Sequence, residues 1–256
     1  MRGSLGSLAG HHDTMDVWGA IYKAQFSGRV AAHEIERDDG RIEVFESAAN
    51  YFTSPRSSGE RELLGGLEGP VLDLAAGAGS YTLYLQGLGV DVIAADYSPG
   101  ARDVCLERGC QKVIPIDLRA VELEPGSFGS IIVMGNTLGA HQTPDTMPDF
   151  LRALRNALKP RGHLLFTMID PLDTTDEGHL RYQRQNQAQG RPPGLIRMRI
   201  KYEGVSEPWI YLWMPTDDEL ARLALETGWV LAEERRSGPW RTRLLESKAG
   251  HREELV

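Results

Sequence analysis

Apolar residues recur along this chain with two different periods. Before residue 70 the spacing is helical. Trp18, Tyr22 and Gln25 fall near one face of a helix predicted over residues 15–30, and residues 60–67 read as a short helix stopped by Gly69-Pro70. The stretch 51–59 (YFTSPRSSG) reads as a loop. From Val71 onward, short apolar runs alternate with helical stretches. Strands are predicted at 71–75, 90–95, 112–116, 130–134 and 163–169, and helices at 81–88, 99–108 and 146–158. Runs of this kind, covered on both faces, build a parallel sheet.

The alternation breaks at residues 171–194, which are polar and rich in Gln, Arg, Pro and Gly. Two alternating runs follow, at 195–202 and 209–214, and read as a β-hairpin. Thr216 and Glu219 form a capping box for a helix that stops at Gly228, and two last strands are expected near 229–236 and 240–247. The expected architecture is α/β and doubly wound: a seven-stranded, mostly parallel sheet with a final antiparallel strand, an N-terminal helical cap and a β-hairpin insert. The expected division is a tail and cap over 1–69 and a main domain over 70–256, with a lid at 171–215.

Composition narrows the partners. Of 256 residues, 28 are Lys or Arg and 36 are Asp or Glu, for a net charge of −8. That sign disfavours a phosphate backbone, so no nucleic acid partner is expected. No apolar run reaches the roughly 18 residues of a membrane span, and no leader is read at the start. A soluble cytoplasmic protein, as a monomer or a homodimer, is the expectation. Cys105 and Cys110 are too few for a zinc site and read as two free thiols, so no metal is expected.

The chemistry concentrates in Val71–Ser80, VLDLAAGAGS. An apolar strand runs into a glycine turn and then a helix start. Gly77 and Gly79 lack Cβ atoms, so a ligand can lie on the backbone, and the helix N-terminus beyond offers free N–H groups. Asp96 ends the next strand, where an acid in a doubly wound sheet accepts from ribose hydroxyls. A dinucleotide fingerprint needs G-x-G-x-x-G, and here Thr82 stands at the third glycine.

These residues resemble the class I S-adenosylmethionine-dependent methyltransferases, a Rossmann-like family. Asp73, Gly77 and Gly79 match its first motif, with Ala75 at the first glycine. Asp96 matches the ribose acid and Asp117-Leu118 the adenine pair. SFGSIIVMGN matches the fourth-strand segment, with Gly129 at the usual Asp. LKPRGHLLF matches the turn before the fifth strand, with Arg161 at a glycine. The resemblance spans about residues 51–247. It implies S-adenosyl-L-methionine as cofactor. Asp73, Ala75, Gly77 and Gly79 would surround its methionine part, with Tyr51 closing over that end. Asp96 would hold the ribose, Tyr97 would pack on adenine, and Asp117 would accept from the adenine amine. Met134 and Gly135 would line the far side.

The acceptor side is read from the residues. His141, in the loop after the fourth strand, is either a general base or an exposed loop histidine. Asn136 either orients substrate or caps its loop. Arg197, Arg199 and Lys201 share one face of the first hairpin strand, and Trp209, Tyr211 and Trp213 alternate on the second. From Leu180 to Tyr202 there are six basic residues and no acidic one. This face either greets an anionic substrate or is simply solvated. Trp18 and Tyr22 would complete a roof. The expectation is methyl transfer to oxygen or nitrogen of a small, anionic or neutral molecule. A nicotinamide-dependent oxidoreductase and a non-catalytic cofactor-binding protein are the alternatives.

Overall fold

The computed structural model describes residues 16–248. The chain runs α1 (Val17–Phe26), β1 (His33–Arg37), β2 (Ile42–Phe45), α2 (Ser58–Gly65), β3 (Val71–Leu74), α3 (Ser80–Gly87), β4 (Val92–Ala95), α4 (Pro99–Glu107), β5 (Val113–Ile114) and β6 (Phe128–Val133). It continues through α5 (Met147–Ala157), β7 (Leu158–Ile169), α6 (Glu177–Ala188), β8 (Leu195–Tyr202), β9 (Val205–Ser206), β10 (Ile210–Trp213), α7 (Asp217–Thr227), β11 (Trp229–Ser237) and β12 (Trp240–Ser247).

Seven strands form the central sheet in the order β11-β12-β7-β6-β3-β4-β5. Neighbours from β7 to β5 are parallel, and β12 runs antiparallel to both β7 and β11. One strand is therefore reversed, and the fold is the expected doubly wound α/β sheet. Every residue of β3 and β6 is buried, which is why each reads as an apolar run interrupted only by Asp73 and by Gly129-Ser130. The order turns back between β3 and β6, and an open α/β sheet places its ligand crevice at the carboxyl ends beside such a switch.

The cap and the insert depart from expectation. Residues 33–45, read as helical, form the hairpin β1–β2. The expected hairpin of β8 and β10 does form, and it adds onto β1. The result is a second, antiparallel sheet in the order β10-β8-β1-β2, with β9 on β8. The cap is thus half sheet, and strands from both sides of residue 70 share it. β1 (HEIER) carries one aliphatic residue among charged ones, so its own pattern does not announce a strand. Its pairing with β8 does the work that propensity does not. The polar stretch 171–194 contains α6, started by Asp176, whose carboxylate accepts the His179 N–H at 2.9 Å.

α1 is locked to the main domain by a close crossing. The Asp16 carboxylate accepts the Gly19 N–H at 2.9 Å and the Gly100 N–H at 2.7 Å. A Cβ on Gly100 would stand 2.6 Å from the Gly19 Cα. Gly100→Ala is expected to cost about 1–3 kcal/mol by forcing α1 off α4. Thermal unfolding checks it: a drop of roughly 2–4 °C per kcal/mol is the expected result, and an unchanged midpoint removes the crossing from the stability account.

Candidate active site

The crevice at the carboxyl ends of β3 and β6 has a volume of about 1270 Å³. Its floor is the turn after β3. Ala75 (φ 59°), Gly77 (φ 56°) and Gly79 (φ 74°) all sit in the left-handed region. Glycine takes this conformation freely, whereas Ala75 pays about 1–2 kcal/mol there. The Tyr22 hydroxyl lies against Gly77, 3.0 Å from where a Cβ would be. Gly79 does not face the crevice. A Cβ on it would meet Cys110 Sγ at 2.6 Å and Cys105 Sγ at 3.0 Å, so its missing side chain makes room for the two free thiols.

Two buried carboxyls hold this turn. Asp96 accepts the Gly77 N–H at 2.8 Å and the Ser98 N–H at 2.9 Å, and burial raises its pKa to about 6. Asp73 accepts the Thr82 hydroxyl at 2.7 Å, and burial raises its pKa to about 7. Thr82, at the position of the missing third glycine, therefore serves as a partner for Asp73.

Tyr97, Leu118, Met134, Gly135 and Asn136 line the crevice. Nothing lies within 4 Å of a Cβ placed on Gly135, so that wall is open. Trp18, Tyr22 and Tyr51 form an aromatic cluster over the turn, with ring centroids 5.5–5.6 Å apart. The Tyr97 hydroxyl donates to Glu207 at 3.2 Å. Burial raises the Glu207 pKa, while Tyr97 and the N–H groups of Trp18 and Val17 favour its charged form. Glu207 thereby joins the insert, the start of α1 and the crevice wall.

Four expected site residues lie elsewhere. Asp117 is bound by Arg119, which holds its carboxyl below the usual range, and only Leu118 of that pair reaches the crevice. Arg197 points to the outer face of the second sheet, over Trp209. Trp213 is buried in the core, 4 % exposed. Gly79 is turned away as described. Arg199 touches the rim but is paired with Glu36 at 2.7 Å, as Lys201 is at 2.8 Å. The solvated reading of the basic face is the one this geometry matches. His141 lines the crevice with φ 62°, and its N–H donates to the Tyr211 carbonyl at 2.7 Å. Burial and the Arg119 charge lower its pKa, while Asp117 opposes them.

Among the lining residues that sequence reasoning passed over are Glu207, Asp170 and Arg56. Glu207 sits in a turn (EGVSEP) with no motif. Asp170 directly follows β7, where the end of a parallel strand was itself a signal. Arg56 lies in the YFTSPRSSG loop, with its guanidinium 5.6 Å over the Trp240 ring.

Residues 71–162 match the family model described as "Methyltransferase domain". They are a methyltransferase domain. The match holds the glycine turn, Asp96 and Asn136. The second sheet and α6 lie outside it. No curated protein matches the chain. Among solved structures, a SAM-dependent methyltransferase from Bacteroides fragilis in complex with S-adenosyl-L-homocysteine is 23 % identical with a TM-score of 0.75, covering 91 % of this chain and 95 % of that one. A SAM-dependent methyltransferase from Methanosarcina mazei is 16 % identical with a TM-score of 0.57, over 70 % and 92 %. The 1,6-didemethyltoxoflavin-N1-methyltransferase of Burkholderia thailandensis is 15 % identical with a TM-score of 0.54, over 96 % and 93 %. At these identities the likeness is one of fold. Among the described residues, no helix of the chain around this methyltransferase domain is long and apolar enough to cross a membrane.

Proposed function

We propose that the chain transfers the methyl group of S-adenosyl-L-methionine to a small-molecule acceptor. The observation that carries this reading is the left-handed glycine turn clamped by Asp96 at the floor of an open crevice. A cradle whose Gly135 presents bare backbone, with the Tyr22 hydroxyl set over Gly77, suits the amino-acid tail of the cofactor, and Asp96 keeps lone pairs for the ribose. When bound, the cofactor supplies a methyl carbon already activated by its sulfonium, which takes the acceptor's electron pair as the C–S bond leaves its pair on sulfur.

The protein's part is to bind, align and exclude water. Asp73 and the turn residues face the methionine tail, with Tyr22 and Tyr51 above them. Arg56 meets its carboxylate, being the arginine of the wall without a carboxylate partner among the described residues. Tyr97 and Leu118 flank adenine. His141 has Arg119 and Asp117 as its charged neighbours, so in this reading it stands toward adenine rather than at the transferred methyl. His141→Ala is therefore expected to weaken cofactor binding by about three- to tenfold, or roughly 0.6–1.4 kcal/mol, in a titration with S-adenosylhomocysteine. An unchanged dissociation constant moves His141 out of the adenine wall.

The test of the reading is calorimetric titration with S-adenosylhomocysteine and, separately, NADH. Binding of the first and not the second is expected. The oxidoreductase alternative is disfavoured by Thr82, whose hydroxyl is committed to Asp73 where a dinucleotide turn has glycine. NADH binding with no response to S-adenosylhomocysteine overturns the proposal.

A further inference from the structure

We infer that the acceptor is an uncharged molecule with an apolar body and one polar edge that offers both a hydrogen-bond donor and an acceptor, read by Asp170 and Asn136. The inference rests on the methyltransferase reading and names the substrate class of the same crevice.

The room is there. A single ligand pocket usually measures roughly 300–1,000 Å³, and this crevice exceeds that range at about 1270 Å³. A second molecule fits beside the cofactor. The inner face of the second sheet walls this space with Ile35, Ile196, Met198, Ile200 and Leu212, so the body of the acceptor meets hydrocarbon.

The charges argue against an anion. Arg37 is held by Asp39 through two bonds of 2.8 Å. Arg41 is held by Asp176 at 2.7 Å and Glu43 at 3.1 Å, and Arg199 by Glu36 at 2.7 Å. These pairs are already made, and a carboxylate or phosphate entering beside them finds neutralised cations. Arg56 is exposed at the rim and is assigned above to the methionine carboxylate.

Two polar groups remain unanswered at the carboxyl ends of β6 and β7. The register pairs Val133 with Phe166, which brings Asn136 alongside Ile169. The Asn136 Oδ1 accepts the Ile169 N–H at 2.9 Å, which turns its Nδ2 donors outward. Asp170 Oδ1 accepts the Leu172 N–H at 2.9 Å, leaving Oδ2. Among the described residues, neither Nδ2 nor Oδ2 has a hydrogen-bond partner, and both side chains line the crevice, half-buried. Asn136 is also held at φ 66°, with its N–H bonded to the Thr167 carbonyl at 2.9 Å. Backbone strain of this kind concentrates at functional sites. Asn136 is bonded to Ile169, the residue before Asp170, so a held donor and a held acceptor stand at the ends of neighbouring strands and complement a ligand edge of the opposite order, an N–H or O–H near a carbonyl or ring nitrogen.

The test uses protein loaded with S-adenosylhomocysteine and three bicyclic probes. 2-Quinolone carries N–H beside C=O, 1-methyl-2-quinolone lacks the donor, and 2-naphthoate is an anion of similar size. Calorimetry is expected to show 2-quinolone binding at least about tenfold tighter than either of the others, about 1.4 kcal/mol. Asp170→Asn is expected to erase the advantage over the N-methyl compound. Asn136→Asp is expected to weaken 2-quinolone by a similar factor. Each variant retains the side-chain oxygen that accepts the backbone N–H, so its unfolding temperature serves as the folding control. Binding of 2-quinolone no tighter than 2-naphthoate, or selectivity unmoved by both variants, overturns the assignment while S-adenosylhomocysteine still binds. Failure of the wild type to bind S-adenosylhomocysteine overturns the methyltransferase reading along with it.

Discussion

Asp96→Ala raises the dissociation constant for S-adenosylhomocysteine at least about 100-fold, equivalent to about 2.7 kcal/mol. Two losses add to that figure. The carboxylate accepts the N–H groups of Gly77 and Ser98, so it shapes the turn before any ligand arrives. In the proposed function it also accepts from the ribose, and hydrogen bonds to a charged group contribute about 1.5–3 kcal/mol each. Asp96→Asn retains one acceptor oxygen and is expected to lose less, about tenfold. The pH dependence gives a second reading of the same residue. Burial raises the Asp96 pKa to about 6, so the wild type binds more weakly as the carboxyl takes up a proton below that pH. In Asp96→Ala that contribution is gone. Titrations at pH 8 and pH 5.5 on both proteins check the pair of expectations, and equal affinity at pH 8 withdraws the ribose assignment.

Where a strand is buried on both faces, its residues are mostly apolar for a local reason, and β3, β4, β6 and the second half of β7, from residue 163, were legible on that account, whereas the mostly exposed first half of β7 was not. The glycine turn was legible because a left-handed backbone restricts residue type. β1 was not. HEIER becomes a strand because Ile35 and Glu36 pair with Ile200 and Arg199, far along the chain, and no local window contains that partner. Side-chain direction was the second blind spot. Period two says that Arg197 and Arg199 share a face, but only the pairing with β1 says that the face is the outer one, where Glu36 waits. Asp117 and Gly79 stand at motif positions yet turn away, one toward Arg119 and the other toward the thiols of Cys105 and Cys110.

The second sheet gives these departures a common sense. Cap and insert are distant in sequence and become one wall because β8 adds to β1. Glu207 then ties that wall to Tyr97 and the first turn of α1. The roof over the crevice is thus joined to the proposed adenine wall twice, by the Glu207 carboxylate at Tyr97 and by the His141 N–H at the Tyr211 carbonyl. Trp18 and Tyr22 hang from the same helix, whose other anchorage is the Gly19–Gly100 crossing.

Asp73→Asn is expected to stabilise the protein at pH 8 and to weaken its hold on the cofactor. Asp73 is 2 % exposed, and burial raises its pKa to about 7 against the hydrogen bond from Thr82. The unfolded chain releases the same proton near pH 4. Between those values the folded state binds more protons, so this group lowers stability as pH rises from about 4 to about 7, and the loss persists above. Three pKa units correspond to about 4 kcal/mol. Asparagine keeps an oxygen for the Thr82 hydroxyl and carries no charge, so most of that cost disappears. An unfolding midpoint on the order of 5–10 °C above the wild type is expected at pH 8, with the difference gone near pH 4. Affinity moves the other way. The carboxylate lines the crevice beneath the turn, where the proposed function sets the ammonium of the methionine tail, and its removal is expected to raise the S-adenosylhomocysteine dissociation constant at least about tenfold. Opposite signs in the two measurements mark a buried charge retained for binding at the expense of stability. A variant less stable than the wild type at pH 8 makes Asp73 a structural carboxyl instead.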